Sequence, residues 1–173
     1  MSRPKVWIPR RLSAATLERA RASYDVIEEP LDEPASAARI IEMSAQVDAM
    51  IPCHSERFTA EVAAALDPRL KIVANHSVGV DHCDLPALRA RGIDVTNTPD
   101  VLTDDCADLA VAMVLALARG IVPAAEFARA DWTKGSFPLQ RRVTGMKAGI
   151  LGLGRIGEQV AKRLASFDMD IAY

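Results

Sequence analysis

Three glycines near the end of the sequence have the spacing of a nucleotide-binding turn. Gly152, Gly154 and Gly157 form G-x-G-x-x-G directly after the apolar run 148–151, and the amphipathic stretch 158–167 follows. In a strand–turn–helix unit of this kind, the first glycine permits the turn and the second lets the backbone approach a pyrophosphate. The third glycine lets helix and strand pack closely, and the helix N-terminus offers free N–H groups to the phosphates. The pattern predicts dinucleotide binding.

A second candidate site is a loop in the first half of the chain. Ser77, Val78 and Gly79 follow the apolar run 70–74, which reads as a strand. Ligands of open α/β sheets bind beyond the carboxyl ends of the strands, and a glycine there lets backbone N–H groups approach a small ligand. The loop is therefore suited to hold a carboxylate. A second interpretation stays open, in which the turn needs Gly79 only for its backbone conformation.

The cysteines and histidines do not form a recognisable reactive or metal-binding pattern. Cys53, Cys83 and Cys106 are widely spaced and include no C-x-x-C pair, so neither a disulfide framework nor a zinc motif is indicated. We expect reduced cysteines and no metal site. Histidines beside such a loop are more often hydrogen-bonded structural residues than catalysts, and we assign no catalytic role to His54, His76 or His82.

Composition excludes several classes of partner. The net charge of −2 and the pI near 5.9 give no electrostatic reason to expect nucleic acid or an anionic membrane. The longest apolar run, 109–118, is too short to span a bilayer, and residues 1–11 lack the apolar region of a secretory signal. We expect a cytoplasmic protein that binds neither membrane nor nucleic acid.

The first hundred residues alternate short apolar runs with helical patterns. Alternation at this spacing is typical of βαβ units and a parallel sheet. The predicted strands are 6–8, 24–27, 49–51, 70–74 and 93–96, and the predicted helices begin after Ser13, Ser36, Thr59 and Asp84. The run 97–99, Asn-Thr-Pro, breaks the pattern and predicts a linker or domain edge.

A long helix from Thr103 to Arg119 dominates the second half. Thr103 is suited to the N-cap, and Asp104 and Asp105 complement the helix dipole. The stretch 109–118 is apolar on every face, so we expect it to be buried on all sides, between domains or subunits. A second helix over 122–129, an irregular segment over 131–144, strands over 148–151 and 169–173, and a helix over 155–167 complete the prediction.

Three segments together resemble the D-isomer-specific 2-hydroxyacid dehydrogenase family, most closely its glyoxylate/hydroxypyruvate reductase branch. They are ANHSVGVDHCD at 74–84, NTPDVLTDDCADLAVAMVLALAR at 97–119 and GLGRIG at 152–157. The resemblance covers essentially the whole chain. It implies an α/β fold in which a flavodoxin-like parallel-sheet substrate lobe, residues 1–98, precedes the first part of a Rossmann dinucleotide-binding lobe, residues 99–173, with the active site between the lobes.

The resemblance also implies roles for individual residues. The amides of Val78 and Gly79 would bind the carboxylate of a small 2-keto or 2-hydroxy acid, and Thr103 would lie near the nicotinamide end of NAD(P). The glycine turn would hold the pyrophosphate through Gly152, Leu153, Gly154, Arg155, Ile156 and Gly157. A homodimer built largely by the cofactor lobes is implied for the complete protein.

The catalytic arginine, glutamate and histidine of this family lie downstream of the glycine turn, and no residue of this sequence matches them. We therefore expect the 173-residue chain to represent the N-terminal part of an NAD(P)H-dependent 2-ketoacid reductase and to be inactive alone. The alternative is a non-catalytic, truncated or dinucleotide-sensing protein of the same architecture. The acidic residue or arginine that separates NAD from NADP is also beyond the sequence, and the branch resemblance favours NADP slightly.

Overall fold

The computed structural model of the chain describes residues 3–173. Contacts divide the chain into two compact units, Met1–Pro99 and Asp100–Tyr173. Each unit has its own parallel sheet and its own apolar core.

The first unit is built around a five-stranded parallel sheet in the order β2-β1-β3-β4-β5. This is the flavodoxin-like strand order, and it confirms the predicted α/β fold of this part of the chain. The strands are β1 (Lys5–Ile8), β2 (Asp25–Glu28), β3 (Ala49–Met50), β4 (Ile72–Ala74) and β5 (Asp94–Thr96), and the helices between them are α1 (Ala14–Ser23), α2 (Ala37–Ser44), α3 (Ala60–Ala65) and α4 (Leu85–Ala90).

The four predicted helix starts in this unit are confirmed. Ser13, Ser36, Thr59 and Asp84 are the N-caps, and each side chain accepts a hydrogen bond from the backbone N–H three residues further on, at 3.0–3.3 Å. Short polar side chains at these positions pair N–H groups that have no partner within the helix.

The core of the first unit forms on both faces of the central strands. Val6, Trp7 and Ile8 are all buried, as expected for a parallel strand covered by helices on both sides. The indole N–H of Trp7 donates to Glu29 at 2.9 Å, so the largest core side chain also has its polar atom paired.

The second unit contains two long helices and a βαβ unit. Its elements are α5 (Thr103–Ala118), α6 (Ile121–Asp131), a short 3-10 helix (Trp132–Lys134), β6 (Lys147–Gly149), α7 (Arg155–Ala165) and β7 (Asp170–Ala172). β6 and β7 pair in parallel, and α7 packs on α5. This is the arrangement of the first part of a Rossmann lobe, as predicted.

Arg163 ties α7 to the start of α5. Its guanidinium pairs with the carboxylates of Asp104 and Asp108 and donates to the Gln159 side chain at 3.0 Å. Hydrogen bonds to the two carboxylates raise the pKa of Arg163 above its ordinary value. The contact fixes how the helix after the glycine turn lies on its neighbour.

One prediction about α5 is wrong. Leu102, not Thr103, is the N-cap; Thr103 is the first helical residue, and no side chain caps the helix. α7 covers only one face of the apolar stretch in this chain, so the burial of its other faces, between domains or subunits, stays a prediction. Leu109, Met113 and Leu117 are 61%, 53% and 83% exposed.

Several element ends also differ from prediction. β4 begins two residues later than predicted and β6 ends two residues earlier, because ladder pairing covers only part of each apolar run. α7 ends at Ala165 rather than at 167. Within residues 3–173, no single helix is long and apolar enough to cross a membrane; α5 and the helical segment after it reach that size only as a pair bent by 55°.

Candidate functional site

Two of the three glycines in the turn after β6 are required by the chain itself. Gly152 has a φ of +95°, which side chains of L-residues rarely adopt. A Cβ on Gly157 would lie 2.2 Å from the carbonyl oxygen of Gly152, so only glycine lets the first turn of α7 pack against the end of the turn. These are the first and third positions of the fingerprint.

Gly154 differs, because nothing in the described chain requires a glycine there. It is the N-cap of α7 with a φ of −87°, and a Cβ on it would meet no atom within 4 Å. The open space lies at the helix N-terminus, where no side chain caps the helix. The first backbone hydrogen bond of α7 runs from Glu158 to Gly154, at 2.9 Å, which leaves the N–H groups of residues 155–157 for an outside acceptor.

The remaining predicted residues of the turn are at the surface. Leu153 and Ile156 are 37% and 45% exposed. Arg155 is the first residue of α7, and its guanidinium donates to the carboxylate of Asp100 at 2.8 Å. The turn thus presents free N–H groups, a cation and space, which together fit a pyrophosphate group.

Asp100 is a residue of this site that sequence reasoning missed. It lies three residues before the start of α5 with a φ of +66°, which is uncommon for a residue other than glycine, and its carbonyl accepts from the N–H of Thr103 at 3.4 Å. Thr103, Asp100 and Arg155 therefore form one connected group. No local pattern signals this pairing, since Asp100 and Arg155 are 55 residues apart.

In the first unit, the loop after β4 holds Val78 and Gly79. A conformational need for glycine is now excluded, because Gly79 is not among the residues with a positive φ. A Cβ on it would meet only the carboxylate tip of Asp81, at 3.0 Å. The second sequence interpretation of this loop is therefore wrong.

His82 and Asn75 close the base of this loop. The ring Nε2 of His82 lies 2.8 Å from Oδ1 of Asn75, and Nδ2 of Asn75 donates to the carbonyl of Thr96 at 3.1 Å. Burial lowers the pKa of His82, with a contribution from the nearby His54, and burial raises the pKa of the Cys83 thiol. His82 is therefore a hydrogen-bonded structural residue.

The other histidines lie near Cys53. Its Sγ is 3.2 Å from Nδ1 of His54 and 3.6 Å from the carbonyl oxygen of His76. Over residues 3–173, no three His, Cys, Asp or Glu side chains group together as metal ligands. All three cysteines are free thiols.

Glu56 is a second residue that sequence reasoning missed. It is fully buried and accepts hydrogen bonds from the N–H groups of Cys53 and Ala35, at 2.8 and 3.2 Å, and from the Ser55 hydroxyl at 2.9 Å. The carboxylate thereby holds the loop after β3 to the segment before α2. A charged side chain between polar neighbours gives no sequence signal of burial.

The chain is similar to known proteins over nearly all of its length. The family model "D-isomer specific 2-hydroxyacid dehydrogenase, catalytic domain" matches residues 7–167. A glyoxylate reductase of Thermococcus kodakarensis is 39% identical over 178 residues, which cover 99% of this chain and 53% of that protein.

Solved structures agree with these matches. A 2-hydroxyacid dehydrogenase of Ketogulonicigenium vulgare is 41% identical with a TM-score of 0.83, covering 99% of this chain and 54% of that one. An NADPH-dependent glyoxylate/hydroxypyruvate reductase of Sinorhizobium meliloti, solved with NADP and malonate, is 35% identical with a TM-score of 0.81. The match covers 99% of this chain and 53% of that one. The chain thus spans about half the length of the relatives it matches. This chain belongs to the D-isomer specific 2-hydroxyacid dehydrogenase family.

Proposed function

We propose that this chain supplies the carboxylate and pyrophosphate contacts of an NAD(P)H-dependent reductase of small 2-keto acids such as glyoxylate or hydroxypyruvate. Residues 1–98 form the substrate lobe, and residues 99–173 form the start of the cofactor lobe. When bound, the dinucleotide supplies the hydride that reduces the keto group. The residues of this chain bind and orient the two reactants.

The observation that carries the proposal is a pair of glycines that lie in turns beyond strand ends and whose presence the protein itself does not explain. Gly79 and Gly154 both lie in turns beyond the carboxyl ends of parallel strands, and neither has a left-handed φ. Over residues 3–173, no backbone atom lies within 4 Å of a Cβ built at either position, apart from the neighbouring residues in the chain. A ligand close to the backbone explains both, and open α/β sheets bind their ligands at this end.

The two turns suit different anions. Arg155 and the free N–H groups at the start of α7 would hold the pyrophosphate of the cofactor. The amides of Val78 and Gly79 would hold the single carboxylate of the substrate. The structure of the Sinorhizobium meliloti relative contains a dinucleotide, NADP, and a carboxylate ligand, malonate.

We favour NADP over NAD, on the resemblance to the glyoxylate/hydroxypyruvate reductase branch and on the NADPH dependence of that same relative. We also propose that the complete protein is a homodimer in which a partner covers the exposed apolar face of α5. Leu109, Met113 and Leu117 support this, because three large apolar side chains on one helix face favour a contact.

A titration of the ¹⁵N-labelled 173-residue chain tests the proposal. NADP⁺ should shift the amide signals of Gly152 to Gly157, and glyoxylate should shift those of Val78 to Val80. Ethylene glycol, which carries hydroxyls but no carboxylate, is the matched control ligand and should leave the loop signals in place. Absence of a saturable shift up to about 10 mM ligand, above ordinary KM values, would contradict the proposal.

A further inference from the structure

Three successive carbonyl groups of the loop after β4 are all held by donors. The carbonyl of Ser77 accepts from the N–H of Thr98 at 3.0 Å, and that of Val78 accepts from Nδ2 of Asn97 at 2.7 Å. The carbonyl of Gly79 accepts from the Ser77 hydroxyl at 2.8 Å. Each of the three peptide groups is therefore fixed through its oxygen.

Fixing the oxygens also fixes the N–H groups. The chain contains no cis peptide bond over residues 3–173, and in a trans peptide the N–H points opposite to the C=O. The N–H groups of Val78, Gly79 and Val80 therefore point away from the three donors. None of them donates to another group of the described chain, so all three are available to an anion.

Asn97 is the donor that comes from a side chain outside the loop. It follows β5 directly, and the pairing of Ala74 with Thr96 places the ends of β4 and β5 side by side. The opposite orientation of its amide would set Oδ1 against the carbonyl oxygen of Val78, so the hydrogen-bond network assigns Nδ2 to this contact.

We infer that Asn97 is a positioning residue for the carboxylate site. Its amide holds the carbonyl of Val78, which keeps the N–H of Gly79 directed towards the substrate carboxylate. This inference rests on the proposed role of the loop. The segment 97–99 would thus contribute to the carboxylate site as well as link the two units.

Two substitutions distinguish an Asn97 side chain that orients the Val78–Gly79 peptide from one that only fills space beside it. Asn97→Ala removes the donor and leaves the Val78 carbonyl to water, so the peptide loses its restraint. Asn97→Asp keeps the size of the side chain but sets a carboxylate against the carbonyl oxygen. Rotation of the peptide then becomes favourable, because the Gly79 N–H can donate to the carboxylate that Asn97→Asp introduces. The carbonyl oxygen of Val78 would then face the substrate.

The test is glyoxylate binding to the ¹⁵N-labelled 173-residue chain, followed at the Gly79 amide. We expect about a 3- to 10-fold weaker affinity in Asn97→Ala, the effect of one hydrogen bond, and a larger loss in Asn97→Asp. Thr96→Asp is the charge-matched control, since the exposed Thr96 side chain makes no hydrogen bond over residues 3–173, and it should lose less affinity than Asn97→Asp. The Trp7 indole signal checks that the first unit remains folded.

The outcomes distinguish this inference from the proposed function. If Asn97→Asp binds glyoxylate as tightly as Asn97→Ala or the wild type, Asn97 does not orient the peptide, whatever the loop binds. If the wild-type chain itself shows no shift at Gly79, the carboxylate role of the loop is refuted and the role of Asn97 with it. Should Asn97→Asp not fold, the comparison of Asn97→Ala with the wild type decides alone, and equal affinities refute the inference.

Discussion

Alanine substitution at each glycine of the turn after β6 should separate folding from cofactor binding. Gly157→Ala and Gly152→Ala disturb the protein itself, whereas Gly154→Ala places its methyl group in open space. We therefore expect the first two variants to lose stability and the third to lose dinucleotide affinity. The three changes are chemically identical, so each serves as a control for the others.

The structure sets the order of the stability losses. In Gly157→Ala the new Cβ would lie 2.2 Å from a backbone oxygen, while real Cβ contacts essentially never fall below 3.0 Å, so α7 must move away from the turn. Overpacking of this kind costs about 3 kcal/mol. Gly152→Ala forces a left-handed φ on a residue with a Cβ, at about 1–2 kcal/mol. Gly154→Ala changes only an N-cap, at less than about 1 kcal/mol.

The assay must report on the second unit alone, because the two units have separate cores. Hydrogen exchange of the α7 amides measures the free energy of opening of this unit. Binding of NADP⁺ is measured on the same samples by calorimetry. We expect Gly154→Ala to bind at least about 10-fold more weakly, which corresponds to about 1.4 kcal/mol, with α7 exchange close to that of the wild type.

Two results would refute the reasoning. A Gly157→Ala variant with wild-type exchange would show that α7 does not pack against the turn as closely as the structure has it. A Gly154→Ala variant with wild-type NADP⁺ affinity would show that the space at the start of α7 is not where the pyrophosphate binds.

Two further predictions concern buried polar groups of the first unit. Because burial lowers the pKa of His82, the unfolded chain takes up a proton first, so the free energy of unfolding should fall as the pH drops below about 6.5. His82→Asn should flatten this pH dependence, measured by urea titrations between pH 7 and 5. His76→Asn is the control, because His76 is exposed. If the free energy of unfolding of His82→Asn depended on pH as steeply as that of the wild type, His82 would not be the group responsible. Glu56→Gln replaces an acceptor of three hydrogen bonds by an amide whose NH₂ group faces donors, so it should lower the free energy of unfolding by about 2 kcal/mol. A urea midpoint equal to that of the wild type would show that the buried carboxylate does not hold the loop.

Features that depend on short stretches of sequence could be predicted. The strand–helix alternation, the four helix caps and the glycine turn all follow from periodicity or from contacts within three or four residues. The family resemblance rests on the same segments. Even so, the pattern predicts the N-cap of α5 one position too late, at Thr103, because a suitable residue type does not fix the backbone angles of a helix start.

The partners of the site residues could not be predicted. Asn97 holds Val78 across 19 residues, and Asp100 reaches Arg155 across 55. Whether the packing of the chain requires a glycine at positions 79 and 154 also depends on the space around them, which the sequence does not show. Likewise, the apolar pattern of α5 does not say which face α7 covers.

The sequence by itself determined the order of the elements, the turn chemistry and the residue types on which the two proposed anion sites depend. Only the tertiary structure decided which peptide groups are held, which N–H groups remain free and which apolar face stays uncovered. The physical reason is the range of the interactions: turns and caps form between neighbours in the chain, whereas the orientation of a peptide group depends on whatever strand or helix packs beside it.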